Sequence, residues 1–252
     1  MNNNPLVSIV TPVYNNVKYI EKTINSVLNQ TYKNIQYIII DGQSTDGTIE
    51  IINKYLNYIN IFISEKDNGM YDALFKGFKL SKGKYLSWLN SDDLYFKNAI
   101  EKTIKYMEIN NCEWIVGKST TMINKLLITK PLYYYPNVIV RNGLASPCLW
   151  GYIPQESTFF SKRLYNKSGK ISRKFRYAGD FDLWKRFSKH KSLISIPVKI
   201  GIFVKRKGQL SANKELYLKE INKNKCLLQL GIFIRLIFSI FMNFKNYYAK
   251  KK

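Results

Sequence analysis

Two spacings of apolar residues alternate through the first 117 positions. Residues 6–13, 35–41, 60–64, 85–89 and 113–118 are short strand-like runs, and 35–41 is continuous enough for a strand buried on both faces. Between them, residues 18–30, 48–58, 70–80 and 97–111 read as helices; in the first, Ile20, Ile24, Val27 and Leu28 share one face. Repeated βαβ units with short links predict an α/β fold with a mostly parallel, Rossmann-like sheet, flanking helices and right-handed crossovers. After residue 118 the pattern loosens, with prolines at 131, 136, 147 and 154 and glycines at 143 and 151. Residues 118–160 are expected to make strand and loop excursions over the active face, and helical spacing returns over 181–189.

The end of the chain has its own pattern. Between Cys226 and Phe244 it is mostly apolar, yet Gln229, Arg235, Ser239 and Asn243 fall on one side of a helix. A narrow polar stripe suits a helix lying in a membrane interface or packed on the protein's own sheet. Arg235 in the middle argues against a membrane span. The expected organisation is one half over 1–117, a second half of the same domain over 118–215, and a basic amphipathic C-terminal helical extension over 216–252.

Composition changes this picture in three ways. An apolar share of 46% over 252 residues is ample for one sizeable core. Cys112, Cys148 and Cys226 have no metal-like or disulfide-like spacing, and polar residues Met1 to Asn4 lead to Pro5 without a signal peptide, so a cytoplasmic protein is expected. The net charge of +23 is lopsided: residues 1–117 hold 12 Lys against 12 acids, and residues 118–252 hold 28 Lys plus Arg against 5 acids. An anionic partner for the second half, nucleic acid or an acidic membrane face, would explain that; so would a lysine-rich compositional bias, since 33 of the 40 basic residues are Lys.

The residue inventory excludes several chemistries. His190 is the single histidine and sits between Lys189 and Lys191, which leaves no material for Ser-His-Asp, Cys-His or histidine-metal sites. No Gly-x-Gly-x-x-Gly or Gly-Lys-Ser/Thr phosphate loop is present. Acid-base work falls to carboxylates, and the informative ones stand where predicted strands end: Asp41, Asp67, and Asp92 with Asp93 in Asn90-Ser91-Asp92-Asp93. Ligands bind at that edge of parallel sheets, and hard oxygens there suit a divalent cation at a nucleotide. Each acid alone also reads as a turn or cap residue, Asp41 in Asp41-Gly42-Gln43-Ser44 included. Asp46 with Gly47 reads as a helix start. Downstream, Asp180 and Asp182 open an amphipathic helix amid Arg173, Lys174, Arg176 and Lys185, as a base and its support or as N-caps.

Four ordered motifs carry a resemblance: residues 7–15 (VSIVTPVYN), 40–48 (IDGQSTDGT), 64–69 (SEKDNG) and 89–93 (LNSDD). Together they resemble bacterial family 2 glycosyltransferases of the GT-A fold, strongly over 5–117. The likeness extends more weakly through Gln155-Glu156 and Asp180–Trp184 to acceptor-side segments of polysaccharide and lipopolysaccharide assembly members. The resemblance implies that 1–117 is the nucleotide-sugar half and 118–215 the acceptor half. Thr11, Pro12 and Tyr14 would line base and ribose, Asp41 would hold the pyrimidine, and Asp67 with Gly69 would form the adjoining wall. Asp92 would ligate Mn²⁺ or Mg²⁺, Asn90 and Ser91 would bind the nucleotide, Asn90 at a ribose hydroxyl, Asp180 would be the general base, and Gln155, Glu156 and Asp182 would face the acceptor. Two departures stand out: Asn90 where many members carry the first acid of Asp-x-Asp, and Phe75 where many carry Asn before Lys76-Gly77.

The function so implied is a metal-dependent inverting transferase, moving a hexosyl or hexosaminyl unit from a UDP-type donor to a saccharide or lipid-linked acceptor. Its expected place is peripheral, on the inner face of the cytoplasmic membrane, with no nucleic acid partner. A non-catalytic nucleotide-sugar-binding protein is the main alternative, and a nucleic-acid-binding protein a more distant one.

Overall fold

The computed structural model describes residues 4–146 and 150–221. Strands β1 (Val7–Val13), β2 (Ile35–Asp41), β3 (Ile61–Ser64) and β4 (Tyr85–Trp88) form a parallel block in the order β3-β2-β1-β4. Helices α1 (Ile20–Leu28), α2 (Thr48–Asn53) and α3 (Met70–Leu80) link them. The sheet then continues through β8 (Thr158–Ser161), β6 (Trp114–Ile123), β9 (Ile194–Val204) and β5 (Leu94–Tyr95), with β7 (Leu126–Thr129) hairpinned onto β6. Of these, β6 and β9 run parallel to the first block, whereas β8, β5 and β7 run against it. Helices α4 (Ala99–Ile109), α5 (Asn137–Arg141), α6 (Lys162–Lys167), α7 (Gly179–Phe187) and α8 (Lys214–Glu220) complete the described chain.

Strand alternation divides the core between the two faces of the sheet. Val10, Ile38, Ile40, Trp88, Trp114 and Phe160 point to the face covered by α3, α6 and α7. Their neighbours Ile9, Tyr37, Ile39, Ile115 and Phe159 point to the face covered by α1, α2 and α4. Both faces being covered is why β2 reads as a continuous apolar run. On the first face Trp184 of α7 lies between Trp88 and Trp114, with ring centroids 5.4 and 5.6 Å away. That stack fixes α7 one helical turn from Asp180.

Elements of the first half fall close to where their spacing predicts, with 35–41 and 70–80 reproduced to the residue. Three elements differ from their expected spans. The helix expected over 48–58 ends at Asn53 and resumes as a single 3-10 turn, Leu56–Tyr58. The helix expected over 181–189 spans 179–187, which puts Asp180 inside its first turn. An 11-residue strand, β9, stands where no periodicity is legible, because Pro197 and Gly201 interrupt it. A proline is tolerated there because the β6–β9 register shifts beside it, between Val116 and Lys118, which is where Pro197 escapes the ladder. The amphipathic helix expected from 226 to 244, with Cys148 and Cys226, lies outside the described residues. Among the described residues no helix is long and apolar enough to cross a membrane.

Close approach of α3 to the sheet depends on Gly77, where an added Cβ would meet Val10 Cγ1 at 2.4 Å. Gly77→Ala should therefore lose about 1–3 kcal/mol of stability by overpacking. Urea unfolding checks this: an unchanged midpoint would mean the helix can lift off β1 freely.

Candidate active site at the C-terminal edge of the sheet

Parallel registry gathers the sequence motifs on one rim. Val13 pairs with Asp41 and Asp41 with Ser64, so the segments leaving β1, β2 and β3 emerge side by side, and Leu89 N–H bonds the Val10 carbonyl as β4 ends. Side chains then tie the loops together. Asn15 N–H donates to Ser44 Oγ at 2.8 Å, Thr45 N–H to Asn15 Oδ1 at 2.8 Å, and Asn16 N–H to Thr48 Oγ1 at 2.8 Å. Asn16 Nδ2 reaches across to Ser91 Oγ at 2.7 Å, joining the loop after β1 to the loop after β4. Thr11 is buried against the Tyr37 hydroxyl, Pro12 is buried beside it, and Tyr14 is 64% exposed at the rim.

Asp41 lies fully buried beneath this rim. Its Oδ2 accepts from Ser44 N–H at 2.9 Å and Ser64 Oγ at 2.7 Å, while Oδ1 accepts from Ser44 Oγ. Two oxygens hold about four acceptor sites, so one on Oδ1 remains. Gly42 lies so close to Asp67 that an added Cβ would sit 2.9 Å from Asp67 Oδ2, and Asp67 Oδ1 accepts Gly69 N–H at 2.8 Å. Burial first, and the charges of Asp72 and Asp41 with it, push the Asp67 carboxyl up against the opposing Gly69 bond and Lys76. Asp46 fills the helix-start place expected of it: bonds from Thr48 and Val17 outweigh its burial and hold its carboxyl below the usual range.

The Asn90–Asp93 turn separates its two acids. Asp93 is fully buried, accepts Val204 N–H at 3.0 Å, and is pushed well above the carboxylate range by burial and then by the charges of Asp92 and Glu156. Asp92 instead meets Arg206 Nε at 2.6 Å and Gln209 Nε2 at 3.1 Å, both on Oδ2. Arg206 also stacks over the Tyr19 ring, 5.2 Å from its centroid. Beside this pair lies a cavity of about 220 Å³ lined by Tyr19, Lys22, Asp92, Met122, Lys125 and Lys205. Glu156 is buried next to Asp93, and burial raises its carboxyl to about 7. Gln155 lies in the same 3-10 turn, ahead of β8.

Among the described residues no group of three acids, histidines or cysteines could hold a metal by itself. Magnesium-type sites, however, use one or two carboxylates and let substrate phosphates and water fill the rest. Asn90 Oδ1, at the start of the turn that carries Asp92 and Asp93, is buried with no hydrogen-bond partner, an orphaned hard oxygen that such a cation would satisfy. The donor chemistry fits a divalent ion brought with a diphosphate.

Asp180 joins the rim through α3. Tyr71, on the turn following Gly69, places its hydroxyl 3.2 Å from Asp180 Oδ1 and 3.3 Å from Asp180 N. Burial raises the Asp180 carboxyl to about 6 against the bonds from Phe181 and Tyr71, and the Glu220 charge adds to the rise. Asp182 is turned away into an i,i+4 pair with Arg186 at 2.8 Å, whose guanidinium also binds the carbonyls of Ser168, Gly169 and Lys170. That arrangement makes Asp182 a brace for the 168–170 turn. Phe75, the departure from Asn, lies under the cations of Arg173 and Lys170 at 5.3 and 5.9 Å. Exposed His190 takes no part.

Sequence reasoning missed Tyr71, Arg206, Gln209 and Glu220. Arg206 had one signal available, being among few arginines in a lysine-rich chain; the others had none, since their meaning depends on distant loops.

The parallel block β3-β2-β1-β4 thus carries its acid-bearing loops on one rim, and Arg206, two residues past the end of β9, meets Asp92 there. The glycosyl transferase family 2 model matches residues 8–167, and the chain belongs to that family. It is 36% identical over 194 residues to an uncharacterised glycosyltransferase of Rickettsia typhi, covering 75% of this chain and 60% of that protein. It is 31% identical over 163 residues to TuaG of Bacillus subtilis, a putative teichuronic acid biosynthesis glycosyltransferase, covering 61% of this chain and 64% of TuaG. The chain thus spans about 60% of the length of these relatives. Its fold is that of S. aureus TarS in complex with UDP-GlcNAc, with a TM-score of 0.69 at 16% identity over 82% of this chain and 61% of that one. The expected GT-A architecture is therefore present.

A carboxyl raised by the fold weakens stability as it ionises: the folded state binds the proton more tightly than the unfolded chain, so stability falls as pH climbs from about 4 to about 6. Asp180→Asn removes that cost. The variant should melt above the unsubstituted protein at about pH 8, with the gap closing toward about pH 4. Thermal unfolding across that range checks it, and a pH-independent gap would contradict the raised carboxyl.

Proposed function

We propose that the chain transfers a sugar from a nucleoside-diphosphate donor, with uridine as the base, to a hydroxyl of a saccharide or lipid-linked acceptor in cell-surface polysaccharide assembly. The observation that carries this reading is the single rim on which the loops after β1, β2, β3 and β4 converge, with Asp180 fixed beside it by Tyr71. TarS, described with UDP-GlcNAc, and the mannosyltransferase PcManGT of Pyrobaculum calidifontis, described with GDP-Man and Mn²⁺, share the fold and support a nucleotide-sugar donor. TuaG supports an envelope polysaccharide as the setting.

In this reading Thr11, Pro12 and Tyr14 border the base and ribose. Asp41 offers its remaining Oδ1 site to the imide N–H, and Asp67 with Gly69 walls the other side. Asp92, with the orphaned Asn90 oxygen and Ser91, would hold Mn²⁺ or Mg²⁺, which when bound offsets charge on the departing diphosphate. Arg206 adds fixed positive charge at the same place, and Gln155 and Glu156 lie toward the acceptor.

Asp180 takes the proton of the acceptor hydroxyl while that oxygen forms its bond to the anomeric carbon and the bond to the diphosphate breaks. A single displacement inverts the anomeric configuration. A carboxyl near 6 is mostly ionised at neutral pH yet more basic than a free aspartate, as a general base requires. The basic second half and residues 222–252 would seat the protein on the inner face of the cytoplasmic membrane.

Screening UDP-, GDP- and dTDP-sugars for Mn²⁺-dependent hydrolysis tests the donor. Asp180→Asn should lower transfer by about 100-fold or more while donor binding persists; near-normal transfer by a folded variant would remove Asp180 from the base role. Deleting residues 226–252 should release the protein from the membrane fraction, and unchanged partitioning would sink the peripheral attachment.

A further inference from the structure

We propose that Glu220 is a positioning residue for Asp180, gripping the turn from which that carboxyl projects; this rests on the reading of Asp180 as the base. The Glu220 carboxylate accepts three consecutive backbone N–H groups, from Arg176 and Tyr177 at 2.8 Å and from Ala178 at 2.9 Å. Successive N–H groups converging on one anion form a nest, and bonds to an ionised acceptor are about twice as strong as neutral ones. The grip ends two residues before Asp180.

The other side of the turn is held independently. The Tyr71 hydroxyl stands 3.2 Å from the Tyr177 carbonyl as well as touching Asp180, and its ring fills the space a side chain at Gly179 would need, 2.7 Å from an added Cβ. A single hydroxyl proton serves either the carbonyl or the carboxylate at one moment. Tyr71 alone therefore cannot fix both the turn and Asp180. The nest fixes the turn and leaves that proton to Asp180.

Helix α8 is built to deliver this carboxylate. Tyr217 is buried on the same helix against the rings of Tyr152 and Phe181, at 5.1 and 6.4 Å, and Phe181 immediately follows Asp180. The groups that face Asp180 are thus Tyr71 from α3 and Tyr217 with Glu220 from α8; on its own helix Asp182 is engaged by Arg186. Within this set Glu220 is the one whose charge raises the Asp180 carboxyl, so it acts on both the place and the proton affinity of the base.

The experiment compares Glu220→Gln and Glu220→Ala with Asp180→Asn in the full chain, measuring kcat, donor KM and the pH dependence of kcat. Glu220→Gln keeps the shape and removes the charge, so the acid limb should move to lower pH, because loss of a neighbouring negative charge lowers the Asp180 carboxyl. Its kcat should fall, and that of Glu220→Ala should fall by about 10- to 100-fold, with donor KM unchanged because the donor loops leave other strands. In the Asp180→Asn background Glu220→Gln should cost nothing further. Wild-type kcat and acid limb in Glu220→Gln overturn the inference, as does a loss of rate with an unmoved acid limb, which describes a turn cap alone. Should Glu220→Ala fail to fold, the Gln variant still decides. Full activity in Asp180→Asn would refute the base itself, a different result.

Discussion

The rest of the structure depends on one constraint: β1, β2, β3 and β4 run parallel and in register. Every connection between them must cross a face of the sheet and return, so every strand ends on the same edge. Residues 30 to 80 positions apart are brought onto one rim by the ladder alone. The Asn16–Ser91 bond and the Asn15–Ser44–Thr45 exchange then convert separate loops into one surface. None of these bonds would form if a single strand were reversed.

Burial sorts the acids gathered there. Asp93 and Glu156 lie under the surface, and their carboxyls rise because charge is costly without water. Asp92, one residue from Asp93, meets Arg206 and Gln209 instead, which gives adjacent residues of one type opposite surroundings. Asp180 and Asp182 diverge in the same way, one turned to Tyr71 and the other to Arg186. In both pairs the proposed function draws on one acid, Asp92 or Asp180, and leaves the other a structural part.

The second half contributes anchorage. The stack of Trp184 between Trp88 and Trp114 fixes α7 to the sheet, and α8 fixes the turn ahead of it through Glu220 and Tyr217. Asp180, the proposed base, is held from three elements that are far apart in the chain.

The sequence by itself determined the elements of the first half and the candidate acids at strand ends, because strand and helix periods there are uninterrupted and the four motifs stand in order. Ile35–Asp41 and Met70–Leu80 follow from local pattern alone. Strand β9 did not, since Pro197 and Gly201 break its alternation and only the bulge against β6 accommodates them. Nor did the pairing of Arg206 with Asp92 or the nest under Glu220. Those are decided by tertiary structure, because a hydrogen bond between residues 42 to 114 positions apart leaves no trace in the spacing of either neighbourhood.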